Sequence, residues 1–231
     1  MESQFEREIR LIGEDGLDRL KGSKVIVFGI GGVGSYVVEA LARSGVGSIA
    51  VVDADKVCLS NLNRQLTALH STIGQLKVDI VQNRIHDINP ECIVTKYPIF
   101  YLPETADRIN LEQYDYIVDC IDTITAKIEL VIRSQAIGIP IISSMGTGNK
   151  LDPSKLQIAD ISKTSVCPLA RVMRLELRKR GINHLKCVFS TEEPIRTGNP
   201  EPGSCAFVPS TAGLLIASAV IRDLLAQRDV Q

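Results

Sequence analysis

The sequence predicts an α/β fold: a doubly wound, mostly parallel sheet with helices on both faces and a C-terminal α/β elaboration. Two observations predict it. Short apolar runs alternate with amphipathic stretches over most of the 231 residues, the pattern of strand–helix–strand units whose strands are covered on both sides. A glycine cluster, Gly29 to Gly34, also stands where the first apolar run gives way to an amphipathic stretch. That is where an open parallel sheet makes its tight first turn.

The elements follow in order. Phe5, Ile9, Leu11, Ile12, Leu17 and Leu20 recur at helical spacing and predict a helix over 5–21. Lys24-Val25-Ile26-Val27-Phe28 predicts a buried parallel strand, 33–44 a helix stopped by Gly45 and Gly47, and 48–52 a second strand. A helix over 74–88 ends at Asn89-Pro90. Strands at 92–96, 116–120 and 140–143 alternate with helices near 103–110 and 125–137. Beyond Gly146 the pattern loosens: a strand at 156–161, a helix at 169–180, a strand at 186–190 and a Pro/Gly-rich loop over 193–203. The apolar stretch 206–226 contains Pro209, Ser210, Arg222 and Asp223, too polar for a bilayer span. It predicts a core helix from about Thr211, N-capped by Ser210, in a soluble protein with no transmembrane segment. There is no internal repeat and no low-complexity tract.

Composition narrows the function. Hydrophobic residues make up 45% of the chain, ample for a core. A net charge of -1 confines any nucleic-acid binding to a local basic patch. The six cysteines, at 58, 92, 120, 167, 187 and 205, form no CxxC pair, which argues against a structural zinc site. Free thiols in a reducing cytoplasm are expected.

Gly29-Ile30-Gly31-Gly32-Val33-Gly34 is a GxGxxG between a strand and a helix. Its glycines let backbone N–H groups approach a phosphate at a helix N-terminus. Alone it reads first as an ordinary NAD-binding domain, and Asp53 at the end of the second strand suits either reading by holding ribose hydroxyls. The following residues shift the balance. Asp53-Ala54-Asp55 leads to Asn61-Leu62-Asn63-Arg64-Gln65 and then to Gly74-Gln75-Leu76-Lys77. A triphosphate wants a guanidinium and an ammonium converging with a metal, and Arg64 and Lys77 supply that clamp. In Val118-Asp119-Cys120-Ile121-Asp122-Thr123 two carboxylates stand at the C-terminal end of the fourth strand, where ligands bind in such sheets. Either can contact Mg²⁺ bridging phosphates. Asp119 reads equally as a strand-end hydrogen-bonding residue, and Asp122, otherwise a helix N-cap, is the better metal candidate.

GIGGVGS, the DADxxxxSNLNRQ run, GQLK and VDCID together resemble the ubiquitin-activating-enzyme-like superfamily, which includes adenylyltransferases of molybdopterin and thiamine biosynthesis. The resemblance runs over about 5–147. It implies a Rossmann-like ATP-binding core at 1–147, followed by a substrate-side elaboration at 148–231 within one domain. The cofactors implied are ATP and Mg²⁺. Gly29, Gly31, Gly32 and Gly34 would contact nucleotide, with Asp53 on the ribose. Asn61, Asn63, Arg64 and Lys77 would surround the phosphates, with Asp55 and Gln65 in the same nucleotide set and Asp122 on the metal. Arg7 would reach the triphosphate of the partner subunit in a homodimer.

Within that superfamily EALARSGVGSI, INPEC, ISSMG, DISKTS and VFSTE resemble the tRNA threonylcarbamoyladenosine dehydratases over nearly the whole chain. This implies activation of a threonyl carboxylate as an adenylate, then ring closure, on tRNA bearing threonylcarbamoyladenosine. Three features depart from the relatives. Cys167 stands where Asp is usual and reads as a nucleophile or a small helix-entry residue; Thr67 replaces a histidine, with His70 three residues on; and the 193–203 loop is short. Cys58, Cys92, Cys120 and Cys187 are expected to pack beside strands. Arg171, Arg174 and Arg178 share one helix face and read either as a phosphate-binding stripe or as a solvated face. Ser143, Ser144, Gly146 and residues 190–192 are candidates for lining a pocket for the modified nucleotide. The alternative function is adenylation of a ubiquitin-like sulfur-carrier protein, a reading that the absence of zinc pairs disfavours.

Overall fold

A computed structural model describes residues 3–226 of the chain. Seven strands form one sheet in the order β3-β2-β1-β4-β5-β7-β6. They are β1 (Lys24–Phe28), β2 (Ser48–Val52), β3 (Ile93–Tyr97), β4 (Tyr116–Asp119), β5 (Ile141–Ser144), β6 (Leu156–Asp160) and β7 (Lys186–Ser190). All neighbours pair parallel except β6, which runs antiparallel to β7 at the edge. Val27 pairs with Val51 on one side and Val118 on the other, so the apolar runs of the sequence become the centre of the sheet.

The helices are α1 (Glu6–Gly22), α2 (Gly34–Arg43), α3 (Lys77–Ile88), α4 (Ile124–Ile137), α5 (Pro168–Arg178) and α6 (Phe207–Ala226). Alternate strand residues serve opposite faces, as the two-residue period of a strand requires. Val25, Val27, Ile49, Val51 and Val118 pack with α1, α2, α3 and α6. Ile26, Phe28, Ala50, Val52 and Ile117 pack with α4, α5 and the segment 97–114. Each fully buried Val, Ile or Phe removes apolar surface worth roughly 1.5–3 kcal/mol from water. Both faces are therefore committed to core, and the strand ends are left to carry chemistry.

Three boundaries differ from the sequence reading. The segment 103–110 forms one 3₁₀ turn, Ala106–Arg108, and no α-helix. There the Thr105 hydroxyl donates to the Phe100 and Leu102 carbonyls and accepts from Leu102 N–H, so a side chain takes the Leu102 carbonyl with which a helix would have begun. Helix α3 begins at Lys77, because residues 74–76 are drawn into an extended bridge between Lys56 and Leu76. Helix α6 begins at Phe207, with Pro209 in its first turn, where no N–H is missed. Ser210 is inside the helix, its hydroxyl donating to Phe207 O. By length and composition α6 is apolar enough to cross a membrane, but Val208, Ala212, Ile216 and Val220 are fully buried against the sheet and α2. It is a core helix.

Candidate active site

At the C-terminal end of the central strands lies a cavity of about 670 Å³, within the range of small-molecule sites. Its floor is the turn after β1. Gly29 has φ +83°, and a Cβ there would stand 2.6 Å from the Cys120 carbonyl oxygen. A Cβ on Gly34 would stand 1.9 Å from Gly29 O. No side chain fits at either place, so the turn closes backbone against backbone, with Gly29 and Gly31 on the cavity wall. The turn is held by Ile30 N–H, which donates to Asp53 Oδ2 at 2.6 Å. No side chain caps the start of α2, which leaves the positive end of its dipole for an anion.

One wall carries the charged residues. Lys77, almost wholly buried, sits between two carboxylates, 2.8 Å from Asp55 Oδ2 and 3.8 Å from Asp53 Oδ2. Burial pushes the Asp53 carboxyl above its ordinary value, against the pull of Lys77 and the N–H groups of Asp55 and Ile30. Arg64 Nη1 donates to Ser60 O at 2.8 Å and Asn63 Oδ1 at 2.9 Å. Asn61 Oδ1 accepts from Cys58 N–H at 3.2 Å and shapes the turn that presents Arg64. Gln65 is buried, and its Oε1 has no hydrogen-bond partner. A buried acceptor left open on a cavity wall is costly unless a ligand or water completes it. Asp122 is exposed and also lines the cavity. The run Ile99, Phe100, Tyr101 and Leu102 adds a mostly apolar wall that suits a planar base.

The cavity thus gathers Gly29, Gly31, Asp53, Asp55, Asn61, Arg64, Gln65, Lys77 and Asp122 from five separate segments of chain. Gly32, Gly34, Asn63 and Arg7 are not on its wall. Gly32 packs against Pro209 and the Arg64 stem. Asn63 Nδ2 donates to Ser204 O and so fastens the Arg64 turn to the 193–206 loop. Arg7 is exposed on the first turn of α1. The apolar wall is not legible in the sequence because 99–102 lies in loop beyond β3, where no periodicity marks a contact. Cys58 does not pack inward as expected: it is exposed on the cavity wall, its thiol drawn below the ordinary value mainly by the hydrogen bond with Ser60 Oγ.

Among the described residues no three His, Cys, Asp or Glu side chains converge as a metal cage. One exposed carboxylate beside an anion cradle fits Mg²⁺, which binds one or two carboxylates and takes its other ligands from phosphate and water. Asp119 is not at the cavity. It is fully buried and ion-paired with Lys127, which settles the alternative in favour of a structural carboxylate.

The candidate substrate residues fare less well. Ser143, Ser144 and Ser190 are buried, with Ser143 Oγ donating to Asp119 at 2.5 Å; they are not on the wall of this cavity. Cys167 is the buried residue just before α5, a helix-entry residue. Of the basic stripe, Arg174 is spent on Ile161 O and Thr164, while Arg171 and Arg178 remain exposed. Thr67 is buried, with an unpartnered hydroxyl, and His70 is exposed.

The ThiF family model matches residues 5–230. A tRNA threonylcarbamoyladenosine dehydratase of Bacillus subtilis is 48% identical, the match covering 99% of this chain and 97% of that protein. The crystal structure of the Escherichia coli tRNA N6-threonylcarbamoyladenosine dehydratase with AMP superposes with a TM-score of 0.92 at 34% identity, covering 99% of this chain and 96% of the other. The same enzyme with ATP gives 0.91 at 35%, covering 97% and 94%. The cavity, its glycine turn and these likenesses over the full length have one reading: the chain belongs to the ThiF family, alongside its tRNA threonylcarbamoyladenosine dehydratase relatives.

Proposed function

We propose that the chain is an ATP-dependent tRNA threonylcarbamoyladenosine dehydratase. The observation that carries the reading is the convergence of Arg64, Lys77 and Asp122 with the glycine turn on one cavity, in a chain that matches dehydratases of that name from end to end. Residues 1–147 supply the nucleotide chemistry and 148–231 the substrate side. The apolar wall takes the adenine and Asp53 the ribose hydroxyls. The amides of the glycine turn, Arg64 and Lys77 bind the phosphates, with Gln65 and the nearby Asn61 completing the polar lining.

A carboxylate is a poor electrophile, since its leaving group would be oxide. Attack of a threonyl carboxylate oxygen on the α-phosphate of ATP forms an acyl-adenylate and expels pyrophosphate. The neighbouring carbamoyl group then attacks the acyl carbon, loses a proton and expels AMP. The nucleoside has lost one water, whose oxygen leaves on AMP. Ring closure is intramolecular and gains from proximity, so no enzyme nucleophile is needed, in keeping with the buried Cys167. Arg64 and Lys77 meet the charge that develops on the pyrophosphate. Mg²⁺ held at Asp122 would add Lewis-acid neutralisation of the phosphates. Arg7 acts from the partner in a homodimer, and the tRNA substrate puts the enzyme in the cytoplasm.

Arg64→Ala and Asp122→Ala are each expected to reduce tRNA-dependent pyrophosphate release at least about 100-fold, the scale of losing one electrostatic contact to a transition state. Circular dichroism should stay native. Wild-type release from either variant contradicts the roles given to those residues.

A further inference from the structure

Lys127 lies in the first turn of α4 and is fully buried. A buried ammonium is expensive unless it is both paired and hydrogen-bonded, and here it is both. Nζ lies 2.8 Å from Asp119 Oδ2, and donates to Ser144 O at 2.8 Å and to Ile121 O at 3.1 Å. The carboxylate is equally filled. Asp119 Oδ2 also accepts from Ser143 Oγ at 2.5 Å, and Oδ1 accepts from Ile121 N–H at 3.1 Å.

The pair therefore grips both backbone polar groups of Ile121, the residue immediately before Asp122. It also binds that loop to the end of β5 through Ser143 and Ser144. On its other side the loop abuts the glycine turn, where only the missing Cβ of Gly29 lets Cys120 O approach. Asp122 itself makes no hydrogen bond or ion pair among the described residues, so its placement comes from the backbone beneath it. Two of the pair's hydrogen bonds thus go to Ile121, itself on the cavity wall beside Asp122.

We propose that Lys127 and Asp119, with Ser143, are a positioning unit that sets Asp122 at the metal-bearing phosphates. This rests on the assignment of Asp122 as the Mg²⁺ contact. Loss of the unit acts on metal placement and turnover, and leaves the adenine and ribose contacts alone.

The test uses Asp119→Asn/Lys127→Met, which removes both charges together at similar volume and strands neither. Mn²⁺ affinity of the full chain with α,β-methylene-ATP is read by electron paramagnetic resonance, and amide hydrogen exchange is followed over residues 120–123. The double variant is expected to lose Mn²⁺ affinity about 10- to 100-fold, as supporting partners of metal ligands do. Exchange should accelerate locally, and kcat should fall about 100-fold with little change in KM for ATP. Native Mn²⁺ affinity and kcat in the folded double variant overturn the proposal. So does a loss confined to thermal stability.

If the double variant does not fold, Ser143→Ala, which takes one hydrogen bond from Asp119, should show a smaller loss of Mn²⁺ affinity in the same direction. Wild-type behaviour there is equally fatal. Asp122→Asn run alongside separates the two claims. If it keeps full Mn²⁺ affinity, the metal assignment itself fails. If it loses affinity while the double variant does not, only the positioning unit fails.

Discussion

At Gly29 a side chain has nowhere to go. Its φ is +83°, a region L-residues rarely adopt, and the Cβ would meet Cys120 O at 2.6 Å. Gly29→Ala is expected to cost about 2 kcal/mol or more, seen as a lower urea midpoint with unchanged slope, and to weaken ATP binding. That glycine was legible in the sequence because its motif encodes a backbone need. Cys58 was not, since nothing in its neighbours says whether a thiol after a strand turns inward or toward a cavity. The exposed thiol is shifted toward its anion by Ser60, whereas burial pushes Cys92 up to about 11 and Cys187 up to about 12. Iodoacetamide at neutral pH should therefore label Cys58 well before those two, and Mg-ATP should slow that labelling. Peptide mass mapping reads both; labelling of Cys58 indifferent to ATP would separate it from the nucleotide cavity.

Between elements, helix α2 is fixed to α3 by Glu39, whose carboxylate takes two hydrogen bonds from Arg84 and one from Arg43. Burial alone would raise this carboxyl, but the hydrogen bonds and charges of the two arginines outweigh it and hold it below its ordinary value. The stabilisation is then complete above the unfolded pKa of about 4.3 and is lost as pH falls through the lower folded value. Glu39→Gln should lower the urea midpoint at pH 7 and flatten its decline toward acid, with the two proteins converging once pH has fallen through the lower folded value. Parallel curves would exclude this bridge as a source of the acid limb. The strands at the sheet centre could be read almost to the residue, since a strand buried on both sides writes itself as a continuous apolar run. The segment 103–110 could not, because its outcome turns on the Thr105 hydroxyl competing for backbone groups. The basic face of α5 was legible as charge but not as use: Arg174 is consumed by Thr164 and Ile161 O, a partnership invisible to spacing.

Across the whole molecule the parallel order around β1 follows from right-handed strand–helix–strand connections. The antiparallel β6 does not, since it depends on a long-range pairing between Leu156 and Ser190 that no local period carries. The consequence for function is that one end of the sheet collects the nucleotide residues while the faces hold the core. At this end a carboxylate of the substrate is joined to AMP. This is tested most directly with tRNA carrying threonylcarbamoyladenosine whose threonyl carboxylate is labelled with ¹⁸O, incubated with the protein and Mg-ATP. Mass spectrometry should find the nucleoside lighter by one water and the label in the phosphate of AMP. A nucleoside left unchanged, or AMP without the label, would contradict it.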